Sequence, residues 1–109
     1  MNRALTIADV RLKVQQFALL MEQKLRENDA KGGWHGESTG WLMSRLHQEA
    51  EEVTRAIVAQ DIVRSLPQTR ETAVTLIALR RNIAREAADV ANFAMMIADM
   101  CLGLTEPTP

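Results

Sequence analysis

A chain of 109 residues has the size of one ordinary domain, spanning 1–109, and suffices for one hydrophobic core. Apolar residues make up 47% and charged residues 25%, a globular balance, and the net charge of −1 gives no global attraction to a nucleic-acid polymer or an anionic membrane. Asp89 and Asp99 interrupt the richest apolar stretch, so no run reaches membrane-spanning length. The first residues lack the continuous apolar segment of a signal peptide, and Cys101 has no internal disulfide partner. The expectation is a cytoplasmic protein in which Cys101 is a small buried hydrophobe.

Between its glycine and proline breaks the pattern is helical. A first helix is expected from about Ile7 to about Asn28, headed by Thr6 and Asp9 as a capping box with Asp in place of Glu. Ile7, Val10, Val14, Phe17, Met21 and Leu25 recur at three- and four-residue steps and form its apolar stripe, with Lys24 among the residues placed elsewhere. Residues 28–40, NDAKGGWHGESTG, have four glycines and no periodicity, which makes them a loop. That loop brings Lys31, Trp34 and His35 together. Two readings stay open: Trp34 plugs the end of the core, or it offers a base-stacking ring with a cation nearby for phosphate.

The second helix is expected to start near Ser38 or Thr39 and to reach about Val63. Leu42, Leu46, Val53 and Ile57 make its inward stripe, and Glu49 completes that stripe. A carboxylate in an apolar seam is the informative feature. Arg45 with Glu49 and Arg55 with Glu51 have the spacing of helical ion pairs. Pro67 breaks the chain, and Thr69 or Thr72 opens a third helix that ends near Leu102, with Gly103 as the stop. The β-branched Thr72, Val74 and Thr75 lead us to expect irregular or separate first turns. Ile83, Ala87, Val90, Ala94, Ile97 and Cys101 form one stripe, while Ala88, Ala91, Met95, Ala98 and Leu102 are apolar on other faces. A helix apolar nearly all round must be covered on several sides, so the third helix is expected to be central and shared with a second subunit. The expected fold is all-α: an antiparallel helical bundle of three to four main helices, completed by oligomerisation as a homodimer or homotetramer.

Glu49 and Glu52 stand three residues apart, as do Glu86 and Asp89, so each pair shares a helix face. Antiparallel packing of the two helices would bring four carboxylates together. Such a cluster repels itself unless a cation sits in it, and oxygen-only ligands suit Mg²⁺ or Mn²⁺. Zinc would call for Cys or His, and a di-iron bundle for Glu-x-x-His; neither is in the quartet. Mg²⁺ held by a few carboxylates usually completes its shell with water and substrate phosphates, which favours phosphate chemistry. Asn92 extends the same polar strip by one turn.

Gln48-Glu49-Ala50-Glu51-Glu52 followed by Glu86-Ala87-Ala88-Asp89 resembles the EExxE…ExxD signature of the all-α nucleoside triphosphate pyrophosphohydrolases of the MazG type, in particular their small single-domain members. The segments from Met21 to Trp34 and from Glu86 to Met100 are similar to that group too, so the resemblance covers roughly Met21 to Met100. It implies hydrolysis of a nucleoside triphosphate to the monophosphate and pyrophosphate. It also implies Mg²⁺ ligands at Glu49, Glu52, Glu86 and Asp89, with Glu49 or Glu52 activating the attacking water. Asn92 matches a polar position that follows the family's ExxD, and Lys31 and Trp34 would lie near the nucleotide. Arg81 and Arg85, one turn apart, could grip phosphates; a surface ion pair of Arg85 with Asp89 is the competing reading.

The chain departs from the pattern in two places. Gln48 stands at the first Glu of the signature, and 33 residues separate Glu52 from Glu86, more than is usual. The extra length implies a longer second helix or an added turn around residues 72–79. A second reading of the whole chain is a non-catalytic helical oligomerisation or interaction module whose acids hold a structural cation. A DNA-binding regulator is disfavoured by the charge and by the lack of a basic recognition helix.

Overall fold

Three α-helices carry the chain: α1 (Leu12–Glu27), α2 (Thr39–Arg64) and α3 (Arg70–Leu102). The computed structural model describes residues 4–104; among them there is no strand, and two short 3₁₀ turns, Ile7–Asp9 and Asp29–Lys31, flank α1. The tail from Glu106 to Pro109 lies outside the described residues.

The Thr6–Asp9 capping box forms, with the Thr6 amide donating to Asp9 Oδ2 at 2.9 Å. It closes a 3₁₀ turn rather than opening the long helix. Val10 is extended (φ −72°, ψ 132°), and α1 begins only at Leu12. Asn28 ends α1 by donating from Nδ2 to the Lys24 carbonyl at 3.0 Å. The chain then turns at Gly32, whose φ of 89° lies in the left-handed region that favours glycine. Ser38 caps α2, its Oγ accepting from the Trp41 amide at 3.0 Å.

α3 is one continuous helix of 33 residues, contrary to the irregular start its β-branched residues suggested. The threonines explain this. Thr69 and Thr72 exchange backbone-to-hydroxyl bonds at 2.7 and 3.2 Å, and Thr75 Oγ1 donates to the Glu71 carbonyl at 2.9 Å. The hydroxyls thus satisfy the first turn's amides instead of competing with the helix. Gly103, at φ 63°, terminates it with an amide bond to the Asp99 carbonyl at 2.7 Å.

α3 packs against both other helices, while α1 and α2 do not pack on each other. The buried face of α2 runs through Leu42, Glu49 and Ala56; that of α3 runs through Leu76, Ala88 and Asn92. Ile57, expected inward, is 41% exposed, because the seam steps from Glu49 to Ala56 at seven residues and leaves Ile57 beside it. Ile7 and Val14 on the expected α1 stripe are 83% and 54% exposed, and α1 buries no residue fully. Cys101, expected buried, is exposed near the end of α3. The 33 residues between the acid pairs form the distal arm of the α2–α3 hairpin, about three turns of α2 and four of α3. No helix is long and apolar enough to cross a membrane.

Candidate metal centre

Glu49 is only 7% exposed, since it occupies an apolar position of the α2 seam facing α3. Glu52 follows one turn later at the exposed edge, and Glu86 reaches across from α3. One carboxylate oxygen from each of the three lies within 4.8 Å of the others. Ligand oxygens around an octahedral Mg²⁺ stand at most about 4.2 Å apart, so a modest contraction would close the cluster on the ion. Glu86 Oε2 is buried and has no hydrogen-bond partner, a deficit that a bound cation would relieve. The donor set, carboxylate oxygens alone, fits Mg²⁺ or Mn²⁺ and does not fit zinc.

Without a cation, protons hold the acids together. Burial, a hydrogen bond with Glu52 and the charges of Glu52 and Asp89 push Glu49 up to about 7, against a smaller downward pull from Arg45. Glu86 is raised by burial and by its bond with Glu52. Glu52 moves the other way, lowered by the hydrogen bonds it receives from Glu86 and Glu49. The three carboxyls are thus coupled: the charged form is favoured at Glu52 and disfavoured at Glu49 and Glu86.

The fourth acid stands apart. Asp89 Oδ2 is 3.4 Å from Lys24 Nζ of α1, and Lys24 is 3.3 Å from Glu27. Burial raises the Asp89 carboxyl, and Lys24 opposes the rise. Arg85 holds Glu27 at 2.8 and 3.0 Å rather than pairing with Asp89. This chain of charges ties α1 to α3 beside the cluster. Arg45 bonds Glu49 at 2.9 Å, also bonds Gln48, and lies 5.4 Å from the centre of the Phe93 ring. Gln48 therefore faces Arg45, outside the three-carboxylate cluster.

A cleft of about 400 Å³ opens onto these groups. Glu49, Glu52, Glu86 and Asp89 line it together with Trp34, Trp41, Phe93 and Met96, and Lys24, Lys31, Arg45 and Asn92 are also on its wall. Trp34 is fixed there by Nε1 donating to Asp99 Oδ2 at 2.9 Å, and its ring stacks on His35 with centroids 5.3 Å apart. Arg81 and Arg85 do not line the cleft; Arg81 is exposed on α3. Lys24, Arg45, Trp41 and Phe93 were not among the residues singled out from the sequence. Lys24, expected away from the apolar stripe of α1, is instead half-buried on the cleft wall; the readable signal is its spacing, three residues after Met21 and four after Leu20. No signal in the sequence marked Trp41 or Phe93 as cleft residues. Among known proteins, no family, no curated protein and no solved structure matches this chain.

Proposed function

We propose that the protein is a Mg²⁺-dependent nucleoside triphosphate pyrophosphohydrolase, with Mn²⁺ as a possible replacement ion, that converts a ribo- or deoxyribonucleoside triphosphate and water into the monophosphate and pyrophosphate. One observation carries the reading: a single cleft is lined both by a carboxylate cluster with a partnerless buried oxygen and by the rings of Trp34, Trp41 and Phe93. That combination suits a ligand with a charged phosphate end and a flat base. The EExxE…ExxD resemblance supports the same assignment.

Glu49, Glu52 and Glu86 would hold the ion, with Asp89 joining once Lys24 turns to another anion. The ion would neutralise phosphate charge and lower the proton affinity of a bound water. Glu49 or Glu52 would take a proton from the water that attacks the α-phosphorus as the bond to the β-phosphate breaks. Lys24, Lys31 and Arg45 are the cations of the cleft wall that can meet the phosphates. Trp34, held by Asp99, and Trp41 offer ring faces to the base. The chain would complete its bundle as a homodimer or homotetramer, since large apolar side chains such as Leu19, Ile62, Val74 and Ile77 are exposed in the single chain.

The test is incubation of the purified protein with a panel of NTPs and dNTPs and Mg²⁺, with ³¹P detection of the products. Pyrophosphate and monophosphate together are expected. Orthophosphate alone would assign a different phosphohydrolase, and no product from any nucleotide would favour the interaction module with a structural cation.

A further inference from the structure

Among the described residues, two buried side-chain oxygens have no hydrogen-bond partner: Glu86 Oε2, which belongs to the carboxylate cluster, and Asn92 Oδ1, which does not. Asn92 is 4% exposed, and it lines the cleft. Its orientation is determined by α1. Asn92 Nδ2 donates to the Met21 carbonyl at 3.0 Å, and a carbonyl can only accept. Rotating the amide by half a turn would set oxygen against oxygen, so the free end of the side chain is an acceptor and nothing else. An acceptor withdrawn from water and left without a donor is costly, and a bound ligand can supply that donor.

The position along α3 identifies that donor. Glu86 of the acid cluster and Met96, ten residues later on the same helix, both line the cleft. Asn92 lies six residues from the first and four from the second, about 9 Å and about 6 Å along the helix axis. A nucleotide with its phosphates at the acids and its base at the rings has its sugar between them. We infer that Asn92 Oδ1 accepts a hydrogen bond from the 3′-hydroxyl of the substrate's sugar. The inference rests on the nucleotide reading above and deepens it. It makes the 3′-hydroxyl, which ribo- and deoxyribonucleotides share, a group the site requires, so this contact admits both sugars and rejects 2′,3′-dideoxynucleotides.

The experiment compares the unmodified protein on the four dNTPs and the four matching ddNTPs with Mg²⁺, reading pyrophosphate release. For each base that is turned over, kcat/KM should fall on the order of 100-fold or more when the 3′-hydroxyl is missing, because the buried oxygen then stays unpaired. Equal turnover of the two series would overturn the assignment to Asn92 while leaving the pyrophosphohydrolase reading intact. Release from neither series would remove the nucleotide reading, and the inference with it. A second arm uses Asn92→Ala, with its fold checked by circular dichroism and thermal melting. A folded variant should turn over the dNTP no better than the ddNTP, and a folded variant that still discriminates would overturn the proposal. Should the variant fail to fold, the comparison on the unmodified protein decides alone.

Discussion

Glu49 is the residue on which the proposed chemistry of the cleft turns. Its seam position takes the carboxyl out of water, and its neighbours add negative charge, so it ionises near pH 7. Because its proton affinity is raised on folding, the folded chain binds more protons than the unfolded one between about 4.5 and about 7. The metal-free protein should therefore lose stability as pH rises through that window, Glu86 adding in the same direction and Glu52 opposing. Thermal melts in chelator at pH 5 and pH 7.5 check this; a melting temperature that rises with pH contradicts it. Mg²⁺ competes with the protons, so its stabilising effect should be larger at the higher pH. Glu49→Gln removes one candidate base and part of the charge repulsion together. Turnover should fall by roughly 10²- to 10⁴-fold while the melting temperature holds or rises. Asp89→Asn should likewise abolish turnover with the fold kept. Unfolding of either variant would mean that the acids serve the fold through buried hydrogen bonds.

At the scale of the elements, helical spacing alone predicts three helices, the seam position of Glu49 and the turn around Pro67. Each of these depends on residues within one or two turns of each other. What the spacing did not contain are contacts made over distance. Arg85 finds Glu27, 58 residues away, rather than the nearby Asp89, and the Trp34 ring nitrogen finds Asp99, 65 residues away. The late start of α1 is a local miss of another kind, since a capping box also serves a 3₁₀ turn. Local and distant effects can be separated by substitution. Thr69→Ala removes the α3 cap and should cost about 1 kcal/mol in denaturant unfolding, with no change at the cleft. Trp34→Phe keeps a ring but drops the bond to Asp99. It should cost about 0.5–1.5 kcal/mol and weaken nucleotide binding by loosening the loop of residues 28–38.

For the molecule as a whole, the radius of gyration of 17.3 Å exceeds the roughly 13 Å of a compact chain of this length. Among the described residues the buried apolar side chains are four, Leu42, Ala56, Leu76 and Ala88, too few to support helices this long. Light scattering at micromolar concentration should give a mass of at least two chains; a monodisperse monomer contradicts the assembly. Within one chain, α1 is the least anchored helix. It has no fully buried residue, and its ties to α3 include the Asn92 amide, the Lys24–Asp89 pair and the Glu27–Arg85 pair. The first two of these ties border the cleft. A ligand that replaces Lys24 at Asp89 and fills the space between α1 and α3 therefore exchanges ionic anchors for its own contacts. By reciprocity, occupancy and the docking of α1 then reinforce each other. Amide hydrogen exchange should slow along α1 when substrate is present, so the helix with the weakest hold on the fold becomes the one that reports whether the cleft is filled.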